Sequence, residues 1–289
     1  MRLYDELVAN APEGTIRDQW SASTLIVADN VITAIDEAPD YQFFKDAGDF
    51  ILAPPFMDFV IEGRSALSGG TILVQVEVVE PDAARSVIKL YRWDGCKVPS
   101  DAKWVYMMRC FAKPKNAPGI VAFPATIIIP VAGTGRAYQN GYDVGFTPQD
   151  KLFFAQSKVA QDSIIDPVSN GASFACYTIS LMNCRNVERI DVPLSRPQRR
   201  RNAAGRGTPE HSYYVLRVKR TKRQQAAVDR ELPGELAHKR REHLRHGHFK
   251  TYTADAPLFG KYVGSWYWEP IQVGDPGLGT IDKDYDIEF

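Results

Sequence analysis

Residues 71–80 read TILVQVEVVE, with Ile72, Val74, Val76 and Val78 at every second position. A helix would scatter those four side chains around its axis, whereas a strand puts all of them on one face. β-Branched residues also pack well on a pleated surface, so a strand is expected here. Residues 86–93, 103–112 and 120–131 continue the series, separated by the turn-like Asp94-Gly95 and Ala117-Pro118-Gly119. Strands joined to their neighbours run antiparallel, because parallel ones need a crossover of about a dozen or more residues. One dominant antiparallel sheet is therefore expected, and a coiled coil or a disordered chain is excluded.

Other segments are read around that sheet. Residues 2–10 are expected to form a short helix, and residues 20–35 a second, with Leu25, Ala28, Ile32 and Ile35 on one face. Ser21 or Ser23 would cap it, and Ala38-Pro39-Asp40 would end it. A strand over 56–62 follows the Pro54-Pro55 pair. Beyond the glycine-rich stretch 133–145, helical spacing returns at 149–161 and 172–183, two helices that would cover one face of the sheet. Residues 187–192 and 213–219 read as strands, and 193–211 (PLSRPQRRRNAAGRGTPEH) as a basic, mobile loop. The last strand pair is expected at 247–253 and 263–269. The chain is read as α+β, mainly antiparallel sheet with covering helices and a basic β-rich C-terminal region. Its parts are an acidic sheet-and-helix body at 1–192, a basic loop or linker at 193–211, a basic, aromatic β-rich region packed on the body at 212–274, and an acidic tail at 275–289.

The net charge of zero conceals an uneven distribution. Residues 185–250 hold 18 Lys and Arg against 7 Asp and Glu, which leaves 17 basic and 28 acidic residues elsewhere. Screening confines such fields to about 8–10 Å at physiological salt, so the basic segment presents a positive surface whatever the total. The length of 289 residues and 44% hydrophobic content fit one large domain or two modest ones, with a core that needs no disulfides. Cys96, Cys110, Cys176 and Cys184 form no CxxC pair, and the opening MRLYDELVAN lacks the layout of a signal peptide. A reducing, cytoplasmic setting is expected. The longest apolar stretch, 120–133, is shorter than the roughly 20 residues a spanning helix needs, so no membrane insertion is expected.

All five histidines follow residue 210, and His238, His243, His246 and His248 lie close together in HKRREHLRHGHFK. Imidazole titrates near neutrality, which suits acid–base chemistry, metal ligation or anion binding. Lys239, Arg240, Arg241, Arg245 and Lys250 surround the cluster, and Glu242 alone supplies a carboxylate. Cations oppose a divalent metal and favour phosphate, for which guanidinium offers bidentate donors. The metal alternative, His243, His246 and His248 with Glu242, matches no recognised zinc spacing, and solvated or structural histidines are the other alternative. No metal and no cofactor is assigned. Ala132-Gly133-Thr134-Gly135-Arg136 resembles half of a phosphate-binding loop but lacks the GKS or GKT ending and the third glycine, so a sheet-edge turn is the default.

Arg196, Arg199, Arg200, Arg201 and Arg206 form a second basic feature, and Arg217, Lys219, Arg220, Lys222 and Arg223 a third. A basic loop is usually a solvated segment, but repeated clusters along one surface attract phosphates. Aromatic residues interleave with this charge, among them Tyr252, Phe259, Tyr262, Trp266, Tyr267 and Trp268. Core packing accounts for most such rings, while exposed ones stack on unpaired bases. Strand alternation sends Trp266 and Trp268 to one face and Tyr267 to the other.

Several pieces carry a family resemblance. They are Pro54-Pro55-Phe56 leading into Val60-Ile61-Glu62, the run Leu181-Met182-Asn183-Cys184-Arg185-Asn186-Val187, and the basic loop before Tyr214-Val215-Leu216. The most specific piece is Arg245-His246-Gly247-His248-Phe249-Lys250-Thr251-Tyr252, followed by Pro257-Leu258-Phe259-Gly260 and Trp266-Tyr267-Trp268. Together they resemble a family of uncharacterised proteins of tailed bacteriophages and prophages. That family typically has Arg-Gly-His, an aromatic strand and a closing Arg-Gly. Here His246 interrupts Arg-Gly, and Val273-Gly274-Asp275 replaces the closing pair. The resemblance implies phage origin and expression in an infected cell's cytoplasm, and it implies no reaction.

The function expected from the sequence is nucleic-acid-backbone binding with weak sequence specificity, in an accessory role and with single strands as one candidate form. Arg199, Arg200, Arg201, Arg241, Arg245 and Lys250 would meet phosphates, with His246 and His248 as additional donors. The first rival is a nuclease or phosphodiesterase with His243 or His248 as general acid or base and Arg245 stabilising phosphorane charge. The second is an assembly component that engages a phage or host protein.

Overall fold

The computed structural model describes residues 2–11, 15–36, 50–65, 69–93, 95–116, 119–138, 143–146, 158–206, 208, 210–219, 241–245, 248–268, 271–273 and 275–280, with 15–17, 19, 33–36, 158–166, 241–245, 271–273 and 275–280 described as backbone only. Eight strands form one sheet: Thr24–Val27 (β1), Asp58–Arg64 (β2), Thr71–Val79 (β3), Ala102–Lys113 (β4), Val121–Ala132 (β5), Asp143–Gly145 (β6), Val187–Val192 (β7) and Tyr213–Val218 (β8). Their order is β6-β5-β4-β3-β2-β1-β8-β7. Neighbours from β2 to β6 are antiparallel, whereas β1 runs parallel to both β2 and β8. The fold is α+β, with helices covering a mixed, mainly antiparallel sheet.

Residues paired across strands share a face, which separates the two sides of the sheet. On one side stand Val60, Leu73, Val105, Met107 and Ile128. Helices Leu3–Asn10 (α1) and Thr15–Ala22 (α2) cover one end of it, burying Leu3, Tyr4, Val8 and Trp20 against Val60 and Leu73. Pro81–Leu90 (α4) covers the other end, with Ala84 against Trp93, Val105 and Met107. The opposite side carries Ile61, Val74, Val76, Met108, Ile127 and Ile129, and Lys158–Met182 (α5) lies against β3, β4 and β5 there. Asp29–Asp36 (α3) packs on β2 and α5. Gly63 makes this packing possible, since a Cβ there would sit 2.6 Å from Cζ of the fully buried Phe174.

Four local expectations are corrected. Residues 20–35 are the end of α2, strand β1 and helix α3. Leu25, Ile26 and Val27 are all buried, as suits a strand between parallel neighbours with both faces covered, so the helical spacing was coincidental. Residues 86–93 belong to α4 and its C-terminal turn. Pro81 pre-sets the first helical turn, and Ala84, Val87 and Ile88 recur at helical spacing. The two helices expected near 149–183 are the single α5, which carries Pro167 in its interior, while residues 149–157 lie outside the described residues. The supposed mobile loop contains a helix, Arg196–Ala203 (α6). Residues 133–136 form the expected turn, with Ala132 N–H donating to Arg136 C=O at 2.9 Å.

Two compact units divide the chain, Met1–Asn183 with Glu188–Arg217, and Cys184–Val187 with Val218–Phe289. The second contains Arg241–Arg245 (β9), His248–Tyr252 (β10), Gly264–Trp268 (β11), Ile271–Val273 (β12) and Asp275–Thr280 (β13). β10 and β11 pair antiparallel as a hairpin, and β9 lies between β12 and β13 in a separate sheet. Strand β13 occupies the start of the expected acidic tail, and residues 281–289 lie outside the described residues. No helix among the described residues is long and apolar enough to cross a membrane.

Candidate nucleic-acid interface

The β10–β11 hairpin sorts its residues as the Ser-Trp-Tyr-Trp alternation requires. Phe249 and Tyr267 pair across the strands on one face, both buried, with ring centroids 5.2 Å apart. Beside them the Thr251 and Ser265 hydroxyls meet at 3.0 Å. The opposite face pairs His248 with Trp268 and Lys250 with Trp266. Lys250 is exposed and both tryptophans are half-buried. Lys250 Nζ stands 5.2 Å from the Tyr252 ring, and Tyr262 presents its ring edgewise to Trp266 at 5.9 Å. One face is thus core, and the other sets Lys250 and His248 among the rings of Tyr252, Trp266 and Trp268.

The outer edge of β11 is held by residues 184–187. Asn186 works as an added rung: its Oδ1 accepts the Tyr267 N–H at 2.9 Å and its Nδ2 donates to the Tyr267 C=O at 2.7 Å. Arg185 N–H donates to Ser265 C=O at 2.9 Å. A buried asparagine satisfies the strand backbone here and leaves no bare edge for another strand. Trp266 and Trp268 are less well served, because both indole N–H groups are buried with no hydrogen-bond acceptor among the described residues.

In the first unit, helix α6 carries Arg196, Arg199, Arg200 and Arg201 and buries no residue. It is nevertheless anchored. Gln198 Oε1 accepts the Ser195 N–H at 2.8 Å, and Gln198 Nε2 donates to the Glu210 carboxylate. Arg201 Nη2 donates to the same carboxylate at 2.5 Å, and Asn202 exchanges hydrogen bonds with the Glu210 backbone at 2.7 and 3.1 Å. The bonds from Gln198 and Arg201 hold the Glu210 carboxyl below the ordinary carboxylate range. Arg201 is therefore engaged within the protein, while Arg199 and Arg200 are exposed on the helix surface.

These placements divide the expected site residues. Arg199, Arg200 and Arg201 come together on α6, and His248 and Lys250 on one face of the hairpin. Arg241, His243 and Arg245 lie on β9, a strand of another sheet, and only its backbone is described. His246 and His238 lie outside the described residues. Among the described residues no group of three or more His, Cys, Asp or Glu stands close enough to hold a metal ion. Burial pushes the thiols of Cys110, Cys176 and Cys184 up to about 12, so none is an activated nucleophile at neutral pH.

Sequence reasoning passed over a cluster of buried charge at α1. Helix α1 starts after Arg2, which provides no side-chain cap, and Glu62 of β2 replaces one. Its Oε2 accepts the Tyr4 N–H at 2.9 Å. A carboxylate at a helix N-terminus is stabilised by the unpaired N–H groups and the macrodipole. Burial is still the largest influence on Glu62 and holds its carboxyl above the ordinary 4.5. Nearby, Asp5 Oδ1 accepts from His211 through the backbone N–H at 3.1 Å and lies 2.9 Å from Nδ1. The signal was present as one glutamate directly after the apolar run 59–61.

Comparison of the chain with protein-family models, with curated proteins and with solved structures found no match.

Proposed function

We propose that this protein binds the nucleic-acid backbone with weak sequence specificity, as an accessory protein of a tailed phage. The observation that carries the reading is the hairpin face on which His248 pairs with Trp268 and Lys250 with Trp266. A cation attracts phosphate and a ring stacks on a base, and the two alternate along one surface in proteins that track single strands. Arg199 and Arg200 on α6 add exposed charge of the same sign. Backbone contacts carry no base information, which is why specificity is weak.

Fluorescence anisotropy with labelled single-stranded DNA and RNA tests this. Binding is expected at low salt, with log K falling by about 0.7 per neutralised phosphate for each unit of log salt. A slope near zero, or no binding at low salt, removes the reading.

A further inference from the structure

The connection between β10 and β11 ends in a tight turn that holds one residue against its own preference. Phe259 has φ 53° and is 81% exposed. A bulky side chain in left-handed backbone is a conformational outlier, and a large apolar ring in water gains nothing from burial. Gly260, next in the chain, has φ 68°. Lys261 N–H donates to Leu258 C=O at 3.1 Å, which closes a turn with both central residues at positive φ. That geometry favours Asn, Asp or Gly at the first central position, and phenylalanine stands there instead. The turn is firmly made: Leu258 N–H donates to Tyr262 C=O at 2.8 Å, Tyr262 N–H returns to Leu258 C=O at 3.0 Å, and Leu258 is buried beneath.

Strain that the surroundings enforce is a pointer to function. The surroundings also say what the ring meets. Lys261 Nζ lies 5.6 Å from the ring of Tyr262, itself 45% exposed, and Tyr262 leads edgewise to Trp266. Exposed Arg185 lies against Gly264, where a Cβ would come within 2.6 Å of its Nε. Arg185, Lys250 and Lys261 outnumber Asp255, the one acidic residue in 248–268. Rings and cations therefore follow one another from the tip down the hairpin, a pattern complementary to bases and phosphates.

We propose that Phe259 is a base-stacking finger, which makes the hairpin selective for unpaired nucleotides. This rests on the nucleic-acid reading above. An unpaired base stacks on the Phe259 ring, and the phosphates beside it meet Lys261 and Lys250. In a duplex both faces of each base are occupied by neighbours, so the finger finds no partner without unstacking.

The test uses the full chain and the Phe259→Gly variant, because glycine accepts the left-handed turn and should fold at least as well. Affinities are measured for an oligo(dT) strand, the same strand made abasic, and a duplex of equal length. Wild type should prefer oligo(dT) over the abasic strand by about tenfold, within the range of one base stack. Phe259→Gly should bind oligo(dT) several-fold more weakly than wild type and bind the abasic strand and the duplex as wild type does. Phe259→Trp should keep it. Equal binding of oligo(dT) by wild type and Phe259→Gly overturns the proposal, as does an equal loss on intact and abasic strands. Phe259-dependent binding to anionic lipid vesicles, without a preference among the strands, also overturns it. Failure of wild type to bind any of the three polymers removes the nucleic-acid reading itself, a different result from binding without preference.

Discussion

The eight-stranded sheet and the β10–β11 hairpin treat polar and aromatic residues in opposite ways. In the sheet, charge is drawn inward and put to structural use: Glu62 caps α1, and Asp5 holds His211. Phe59 and Tyr106 are fully enclosed in it, and so is Phe174 of α5. The hairpin encloses Phe249 and Tyr267 but keeps Lys250, Tyr262 and Phe259 outward, with one of these in strained backbone. Burial accounts for most large side chains of the sheet unit, which also holds Arg92 at φ 51°, whereas the hairpin connection sets an 81% exposed phenylalanine in left-handed backbone. That difference separates residues engaged in the fold's own packing from a ring and cations left at the surface.

The largest effect expected is on the sheet. Phe174→Ala removes a fully buried ring packed on Gly63 and should cost about 3–5 kcal/mol in denaturant unfolding. A cost below about 1 kcal/mol would show that α5 contributes little to the core. Trp266→Ala should act on the other side of the comparison, weakening single-strand affinity by about 1–3 kcal/mol and unfolding free energy by less than Phe174→Ala does. If stability falls as far as it does for Phe174→Ala, the outer face is core after all.

A smaller effect concerns Glu62. Its folded carboxyl lies above 4.5, so the folded state keeps the proton over a window in which the unfolded chain has lost it. The stability this group contributes is fully present below 4.5 and is lost as pH rises through the folded value. Glu62→Gln does not titrate, so its stability relative to wild type should improve as pH rises across that window. A constant difference between the two proteins contradicts the assignment. The smallest effect is that of Arg199→Ala with Arg200→Ala, which should reduce the salt slope by about 1.4 if both meet phosphate. Stability should change by no more than about 0.5 kcal/mol, as exposed charges contribute little.

The strand pattern was most legible where one physical rule dominated. Val187–Val192 lies where the residues predicted it, and β2, β3, β4, β5, β8, β10 and β11 fall within a few residues of expectation. Alternation succeeded at Trp266-Tyr267-Trp268 because one face of the hairpin is fully buried and the other only half-buried. It failed at Leu25-Ile26-Val27, where a strand covered on both sides has no alternation to read. Residues 86–93 misled because Val87 and Ile88 are β-branched, and the stronger signal was the Pro81-Asp82 start upstream. Composition read 193–211 as a loop, since the bonds from α6 to Glu210 come from side chains that resemble those of any polar segment. The histidine cluster was legible as an anomaly, but its members divide between β9, β10 and residues outside those described. Phe259 drew notice as an aromatic residue and within Pro257-Leu258-Phe259-Gly260, but not for its strain, because its φ comes from the turn around it.

Photo-crosslinking tests the central contrast most directly. The full chain would be bound at low salt to a single strand carrying 5-iodouracil, irradiated, and the attached residues identified by peptide mass spectrometry. Adducts are expected on hairpin rings, Phe259, Tyr262 and Trp266, and should disappear as salt is raised. Adducts confined to residues of the eight-stranded sheet and its helices would contradict that contrast.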